Sequence, residues 1–182
     1  MRFIHRTPFR SDMAVPKTTS GMLQVSFHVD ESAANTFTDS VVDVQLNPLD
    51  NEVLLIYAID FDSSNPNGLA ATNTFSNVSV STTARTTVGR LDASNVLAAE
   101  NKSSNGAGFV DNADTWTSES PSAPVSAGLD YIGILATSDL HIQIEGGNNL
   151  TPMFVNGRVY CQRARATSAV YAALVQSEAL SM

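Results

Sequence analysis

The sequence has a single cysteine, Cys161, and only two lysines, Lys17 and Lys102. One cysteine excludes a disulfide within the chain, so a disulfide framework does not hold the fold together. Cys161 stands in an apolar alternation, which predicts a small buried side chain. Charged residues make up only 15% of the chain. This low share favours a subunit that buries much of its surface against copies of itself; an ordinary acidic β-domain is the alternative.

The chain also lacks a long hydrophobic run. No segment approaches the roughly 18 consecutive apolar residues that a membrane-spanning helix needs. The segment 1–17 has arginines but no apolar centre of the kind that a signal peptide contains. We therefore expect neither a transmembrane segment nor a secretion signal.

Motifs that carry chemistry are missing as well. The sequence contains no G-x-S-x-G, no H-E-x-x-H, no C-x-x-C and no phosphate-binding glycine loop. Of the histidines, His28 and His141 are expected on the polar faces of two strands. We predict that the protein is not an enzyme and that it needs no cofactor.

One segment brings oxygen ligands together and leaves Ca²⁺ open as a cofactor. Asp60, Asp62, Asn65 and Asn67 precede Gly68, and carboxylate and amide oxygens are typical calcium ligands. The spacing departs from the EF-hand pattern, and no glutamate closes the loop. The alternative is a polar turn in which Asp and Asn side chains bind their own backbone.

Charge is distributed very unevenly along the chain. Residues 1–17 have a net charge of +3, residues 18–157 of −13 and residues 158–182 of +2, which sum to −8. The basic residues of the first segment are Arg2, Arg6, Arg10 and Lys17, and those of the last are Arg158, Arg163 and Arg165. We predict that the first group forms an arm that contacts an acidic neighbour, a nucleic acid or lipid headgroups. The second group is a candidate for phosphate binding, for pairing with a neighbouring subunit, or for protecting an edge strand from aggregation.

Between these segments the pattern is that of successive strands. Period-2 alternation predicts half-buried strands over Leu23–Val29, Val42–Leu46, Phe75–Val80 and Leu140–Ile144. The continuous apolar run Val53–Ile59 predicts a central strand buried on both faces, and Tyr131–Thr137 predicts a second apolar strand. Within the latter, Gly133 marks a bulge or a close contact.

The connections are predicted from turn residues. Lys102–Asp114 and Gly146–Asn149 are expected to be loops, and Ser94–Ala99 is either a helical turn or a short strand. Asn156-Gly157 is the strongest hairpin signal, and it separates Phe154-Val155 from a last strand, Arg158–Arg165.

Only Ala164–Leu180 has a helical pattern, with Thr167 or Ser168 as the N-cap. The apolar face is predicted to contain Ala166, Ala169, Val170, Ala173 and Leu174. Together these elements predict an all-β protein, an eight-stranded jelly-roll-like β-sandwich with an extended N-terminal arm and a short C-terminal helix or tail. The predicted organisation is an arm over 1–17, a sandwich body over 18–165 and a tail over 166–182.

Trp116 lies in a polar segment before Pro121. A tryptophan in such a position either closes one end of a β-core or serves as an exposed platform for a ligand. Trp116 is therefore a candidate ligand contact, and the core or subunit contact is the favoured alternative.

The layout resembles that of the single jelly-roll capsid proteins of icosahedral viruses. The residues that carry the resemblance are Arg2, Arg6 and Arg10, the strands Leu23–Val29, Val53–Ile59, Tyr131–Thr137 and Leu140–Glu145, and the Asn156-Gly157 hairpin into Arg158–Arg165. The resemblance implies a virion location, self-assembly into an icosahedral shell, and contacts with other virion proteins. It also implies that the arm meets the genome, an internal membrane or neighbouring subunits.

A second hypothesis remains open from the residues alone. A β-sandwich of this size also suits a carbohydrate- or receptor-binding module, as in an adhesin or a spike. Its candidate contacts are the segments Lys102–Asp114 and Trp116–Pro124.

Overall fold

The computed structural model describes residues 15–106, 115–119 (backbone only) and 131–180. Arg2, Arg6 and Arg10 of the predicted arm lie outside this part of the chain. The strands are β1 (Lys17–Thr18), β2 (Leu23–Asp30), β3 (Thr38–Asp43), β4 (Glu52–Ser63), β5 (Thr74–Ser81), β6 (Val96–Asn105), β7 (Thr115–Glu119), β8 (Gly133–Leu135), β9 (Asp139–Gly147) and β10 (Phe154–Arg165). A 3-10 turn spans Pro48–Asp50, and one helix, α1, spans Ser168–Leu180.

The strands form two five-stranded antiparallel sheets. In sheet A, β1 and β2 both pair with one side of β10, and the order continues through β4 to β8. Sheet B has the order β3-β9-β5-β6-β7. The main pairs are nested in sequence: β2 with β10, β3 with β9, β4 with β8, and β5 with β6. Because successive nested pairs alternate between the sheets, the chain is a long hairpin rolled into a jelly-roll sandwich. The predicted all-β sandwich with a short C-terminal helix is confirmed, and the described residues form ten strands rather than the predicted eight.

The strand predicted to be buried on both faces is β4, and this prediction is confirmed. Leu54, Ile56 and Ile59 belong to the core between the sheets. Val53 and Leu55 lie in a second apolar cluster, which sheet A forms with α1 on its outer face. Full burial of an aliphatic side chain stabilises a protein by about 1.5–3 kcal/mol, so this second cluster holds the helix on the sheet.

Helix α1 has the predicted N-cap, but it begins at Ser168 rather than at Ala164, because Ala164 and Arg165 end strand β10. It also packs through a different face. The hydroxyl of Thr167 accepts a hydrogen bond from the Val170 amide at 3.4 Å, which makes Thr167 the N-cap. The side chains that pack on sheet A are Val170, Tyr171, Leu174 and Val175. The predicted face was wrong at Ala169 and Ala173, which are exposed. The reason is that the larger side chains at positions 171 and 175 bury more apolar surface than the two alanines would.

The predicted hairpin at Asn156-Gly157 is wrong, because both residues lie inside the continuous strand β10. Gly157 pairs with Phe27 of β2 and with Phe61 of β4. A Cβ atom at position 157 would overlap the Phe27 ring. Glycine is therefore required by a close side-chain approach across the sheet rather than by a turn.

Three further boundaries differ from the predictions. Strand β3 ends at Asp43 because the Asp43 carboxylate accepts a hydrogen bond from the Gln45 amide at 2.8 Å, and Gln45 has a positive φ of 51°. Within the predicted loop after position 102, Lys102–Asn105 continue β6, where the Lys102 ammonium donates to the Ser63 carbonyl at 2.7 Å. Gly146 and Gly147 continue β9 rather than interrupting it, since β5 pairs with them.

Two smaller predictions, on Cys161 and on Gly133, are confirmed. Cys161 is a free thiol, fully buried in the core, and burial raises its pKa. The close contact expected at Gly133 exists, because a Cβ atom there would overlap Leu97. Lys17, assigned to the arm, begins β1 and pairs with Arg165. Within the described residues, no helix combines the length and apolar character needed to cross a membrane.

Candidate interaction sites

Two of the three C-terminal arginines bind their own chain. The Arg163 guanidinium donates to the carbonyls of Val44 and Gln45, at 2.9 and 3.1 Å, and to the Glu52 carboxylate at 2.9 Å. These contacts clamp the connection between β3 and β4 onto β10. Arg165 likewise donates to the carboxylate of Asp50 at 3.0 Å, so both cations have acidic partners in the chain that carries them.

Arg158 is placed differently and meets the predicted calcium ligands. It lies on the outer face of sheet A and is directly opposite Asp60 in the register of β10 and β4. Asp62 lies two residues further along β4, on the same face, opposite Asn156. We call Asp60, Asp62, Asn156, Arg158 and Tyr160 the sheet-face patch; these residues line a shallow depression of about 270 Å³ together with Phe61 and Gly157.

His28 supports one side of the sheet-face patch. Its Nδ1 lies 2.7 Å from the Asn156 side-chain oxygen, and its Nε2 lies 3.0 Å from the carboxylate of Asp30. Both ring nitrogens of His28 are therefore engaged by neighbouring side chains. The hydrogen bond to Asn156, together with the bond and the charge of Asp30, raises the pKa of His28.

The four predicted calcium ligands do not form a loop. Asp60 and Asp62 belong to β4, whereas Asn65 is exposed in the connection to β5. The side-chain oxygen of Asn67 accepts a hydrogen bond from the distant Leu150 amide at 2.7 Å, not from its own local backbone as the polar-turn alternative expected. Among the described residues, no group of three or more His, Cys, Asp or Glu side chains is placed to hold a metal ion.

Trp116 belongs to β7, where it pairs with Ser104 of β6. Its side chain is not among the described features, and neither are residues 107–114 and 120–130. The candidate ligand contacts of the binding-module hypothesis therefore lie largely outside the described residues, apart from Lys102–Asn105 in β6.

One end of the sandwich collects exposed apolar side chains. We call it the arm end: it consists of the connections 44–51, 82–95 and 136–138, together with residues 15–22, which run beside the end of β10. The large apolar side chains exposed there are Val15, Met22, Leu23, Leu49 and Leu91. Leu49 is 93% exposed and Leu91 is 64% exposed. Exposed apolar side chains on one end of a sandwich are candidates for a surface that another protein molecule covers.

A polar network on the outer face of sheet B has the residue types of a hydrolase triad but not its geometry. His141 Nδ1 lies 2.9 Å from the Asp39 carboxylate. Ser81, however, donates its hydroxyl to the Thr83 carbonyl at 2.7 Å and accepts from the Gln143 amide at 2.8 Å. The serine is thus oriented by structural bonds rather than by the histidine.

The buried carboxylate of Glu31 lies at the other end of the sandwich, where it contacts three segments of the chain. It accepts hydrogen bonds from the amides of Thr36, Gly146 and Met153, at 3.2, 2.5 and 2.7 Å. Each of these bonds satisfies a backbone donor at a strand end or in a connection. The role of Glu31 is therefore structural.

Residue-level reasoning from the sequence missed His28, Asn156 and Tyr160 as members of a surface site. The only available signal was their alternation within strands, which places each on the outer face of a sheet but does not tell which strands are neighbours. A comparison with known protein families finds no match for this chain, and a comparison with curated proteins finds none either.

Proposed function

We propose that this protein is a structural protein of a virus particle, a shell subunit that assembles with copies of itself. The observation that carries the proposal is the arm end, where exposed apolar side chains gather beside the point at which the basic segment joins the body. Burial of this apolar surface between copies would supply the driving force for association.

The charge distribution supports the same proposal. The segment 1–17 has a net charge of +3, whereas residues 18–157 have −13. A basic segment attached to one end of an acidic body gives head-to-tail electrostatic complementarity between copies. Many weak contacts of this kind, repeated in a closed symmetric assembly, produce a stable particle.

The fold also agrees with the proposal. Jelly-roll sandwiches occur in viral capsid proteins and in lectins, and a fold alone does not decide between such functions. The interior of this sandwich is filled with apolar side chains, so the ends, edges and outer faces are the surfaces available to a partner.

The test compares two ends of the same molecule. The Leu49→Asp/Leu91→Asp variant places charges on the arm end, and Leu150→Asp, at a residue 72% exposed at the opposite end, is the matched control. Light scattering and electron microscopy of the purified proteins should show particles for the wild type and for Leu150→Asp. The arm-end variant should remain monomeric, with an unchanged melting temperature.

A second variant tests the basic segment. Deletion of residues 1–14 keeps Lys17 and β1, so it should leave the sandwich folded while assembly is reduced. A wild-type protein that stays monomeric at high concentration across salt conditions would refute the proposal. Particles of normal size from the arm-end variant would refute the assignment of this interface.

A further inference from the structure

The sheet-face patch occupies the part of sheet A that α1 leaves uncovered. The helix packs over Val53, Leu55 and Ala164, near one end of β4 and β10. Towards the other end, Asp60 and Arg158 face outwards from the same two strands. The outer face of sheet A is thus divided into an apolar half under the helix and a polar half that is open to solvent.

Apart from Asn156, the polar side chains of this patch have no partner in the described part of the chain. Arg158 is opposite Asp60 in the register, yet within the described part of the chain it forms no ion pair or hydrogen bond with it. Asp62 and the Tyr160 hydroxyl likewise have no hydrogen-bond partner among the described residues. Arg163 and Arg165, on the same strand, are both fully engaged with carboxylates. These donors and acceptors of the patch are therefore available to a ligand.

One member of the patch is fixed in position by its neighbours. His28 Nδ1 lies 2.7 Å from the side-chain oxygen of Asn156, and His28 Nε2 lies 3.0 Å from the carboxylate of Asp30. These two contacts hold the Asn156 side chain at the edge of the depression. Pre-organisation of this kind reduces the entropy that a ligand must lose on binding.

The charges of the patch select the class of ligand. An anion would meet Asp60 and Asp62, whereas a simple cation would meet the guanidinium of Arg158, so either one faces a like charge across the depression. A neutral polyhydroxylated molecule satisfies both kinds of group, because each hydroxyl donates to a carboxylate and accepts from a guanidinium or an amide. Tyr160 adds an aromatic ring against which the apolar face of such a molecule packs.

The size of the depression sets the extent of the ligand. About 270 Å³ corresponds to roughly nine water molecules at about 30 Å³ each. That volume is sufficient to hold one sugar ring. We infer that the sheet-face patch is a binding site for a single neutral sugar residue, such as the terminal hexose of a glycan. This site is separate from the arm end, and the inference does not depend on self-assembly.

The test uses the purified full-length protein and a panel of free monosaccharides. Saturation-transfer NMR and calorimetric titration would compare neutral hexoses with an anionic sugar (sialic acid), a cationic sugar (glucosamine) and a zwitterion (glycine). We expect at least one neutral hexose to bind more tightly than all three charged comparators. Equal or tighter binding of a charged comparator, or no binding of any neutral hexose, would overturn the inference.

Two variants test whether the sugar binds at the sheet-face patch. Asp62→Asn and Arg158→Met should each weaken binding about tenfold or more, because each removes a charged hydrogen-bonding group. Their melting temperatures should not change, since neither side chain has a partner among the described residues. The matched control is Glu145→Gln, a half-buried acid on the outer face of sheet B, which should bind like the wild type. Unchanged affinity in both patch variants would contradict the assignment of the site.

Discussion

Removal of the Glu31 side chain should destabilise the protein more than removal of the nearby Glu145 side chain. Glu31 is 4% exposed and lies just after β2. Its carboxylate accepts hydrogen bonds from the buried amides of Gly146 and Met153, at 2.5 and 2.7 Å, and from the less buried amide of Thr36 at 3.2 Å. The side chain therefore joins the connection after β2 to the end of β9 and the start of β10.

The magnitude follows from the two buried donors. In Glu31→Ala the amides of Gly146 and Met153 lose their acceptor without gaining another. An unsatisfied buried donor costs about 1–3 kcal/mol, so the expected loss is about 2–6 kcal/mol. For a chain of this length 1 kcal/mol corresponds to about 2–4 °C, which gives a decrease in melting temperature of about 4–24 °C. Glu31→Gln keeps one acceptor oxygen and should lose less.

The assay is thermal unfolding followed by circular dichroism, with Glu145→Ala as the control. Glu145 precedes Gly146 in β9, and its side chain has no hydrogen bond or ion pair with the described residues, so its loss should change stability by no more than about 0.5 kcal/mol. Hydrogen exchange adds a local readout, because the amides of residues 146 and 153 should lose protection in Glu31→Ala. A Glu31→Ala melting temperature within about 2 °C of the control would show that the reasoning is wrong.

Two further predictions concern the helix and the sheet. Burial raises the pKa of Glu178, whose carboxylate accepts a hydrogen bond from the Ala136 amide at 2.9 Å. The folded protein therefore binds the Glu178 proton more tightly than the unfolded chain does. The stability gained from this protonation is complete below the ordinary pKa of 4.5 and is lost as the pH rises through the raised pKa. Glu178→Gln, which cannot titrate, should reduce the change of the unfolding free energy with pH in this range. Denaturant titrations at several pH values measure that change, and an unchanged pH dependence in the variant would contradict the prediction. Gly157→Ala forces a methyl group into the Phe27 ring and should cost about 1–3 kcal/mol. Gly21→Ala, where a Cβ atom meets nothing within 4 Å, is its control, and equal melting temperatures for the two variants would rule out the predicted clash.

The sequence predicts strands well where burial of one face produces a regular alternation of apolar and polar residues. Leu23–Val29 and Phe75–Val80 were found almost at their predicted bounds, as β2 and β5. The continuous run in β4 correctly indicated burial on both faces, because the helix covers the side that the second sheet does not. Local pattern suffices in these cases, since each side chain alternates between two well-defined environments.

The sequence fails where a distant residue overrides a local preference. Asn156-Gly157 has the composition of a tight turn, but Phe27 and His28 on the neighbouring strand determine what these two positions must be. Arg163 and Arg158 look equivalent in the sequence, both being basic residues of one strand. Only the packing shows that the first is clamped to Glu52 and that the second is left open. Contacts between residues more than a hundred positions apart cannot be recognised from spacing along the chain.

The buried position of Cys161 has a practical consequence. The thiolate is the form of cysteine that reacts, and this thiol is fully enclosed with its pKa raised by burial. A thiol-specific dye can therefore modify the native chain only when the sandwich opens. Because the sequence contains one cysteine, the rate at which the dye labels the protein reports how often the core opens. This rate can be measured without introducing a further reactive residue.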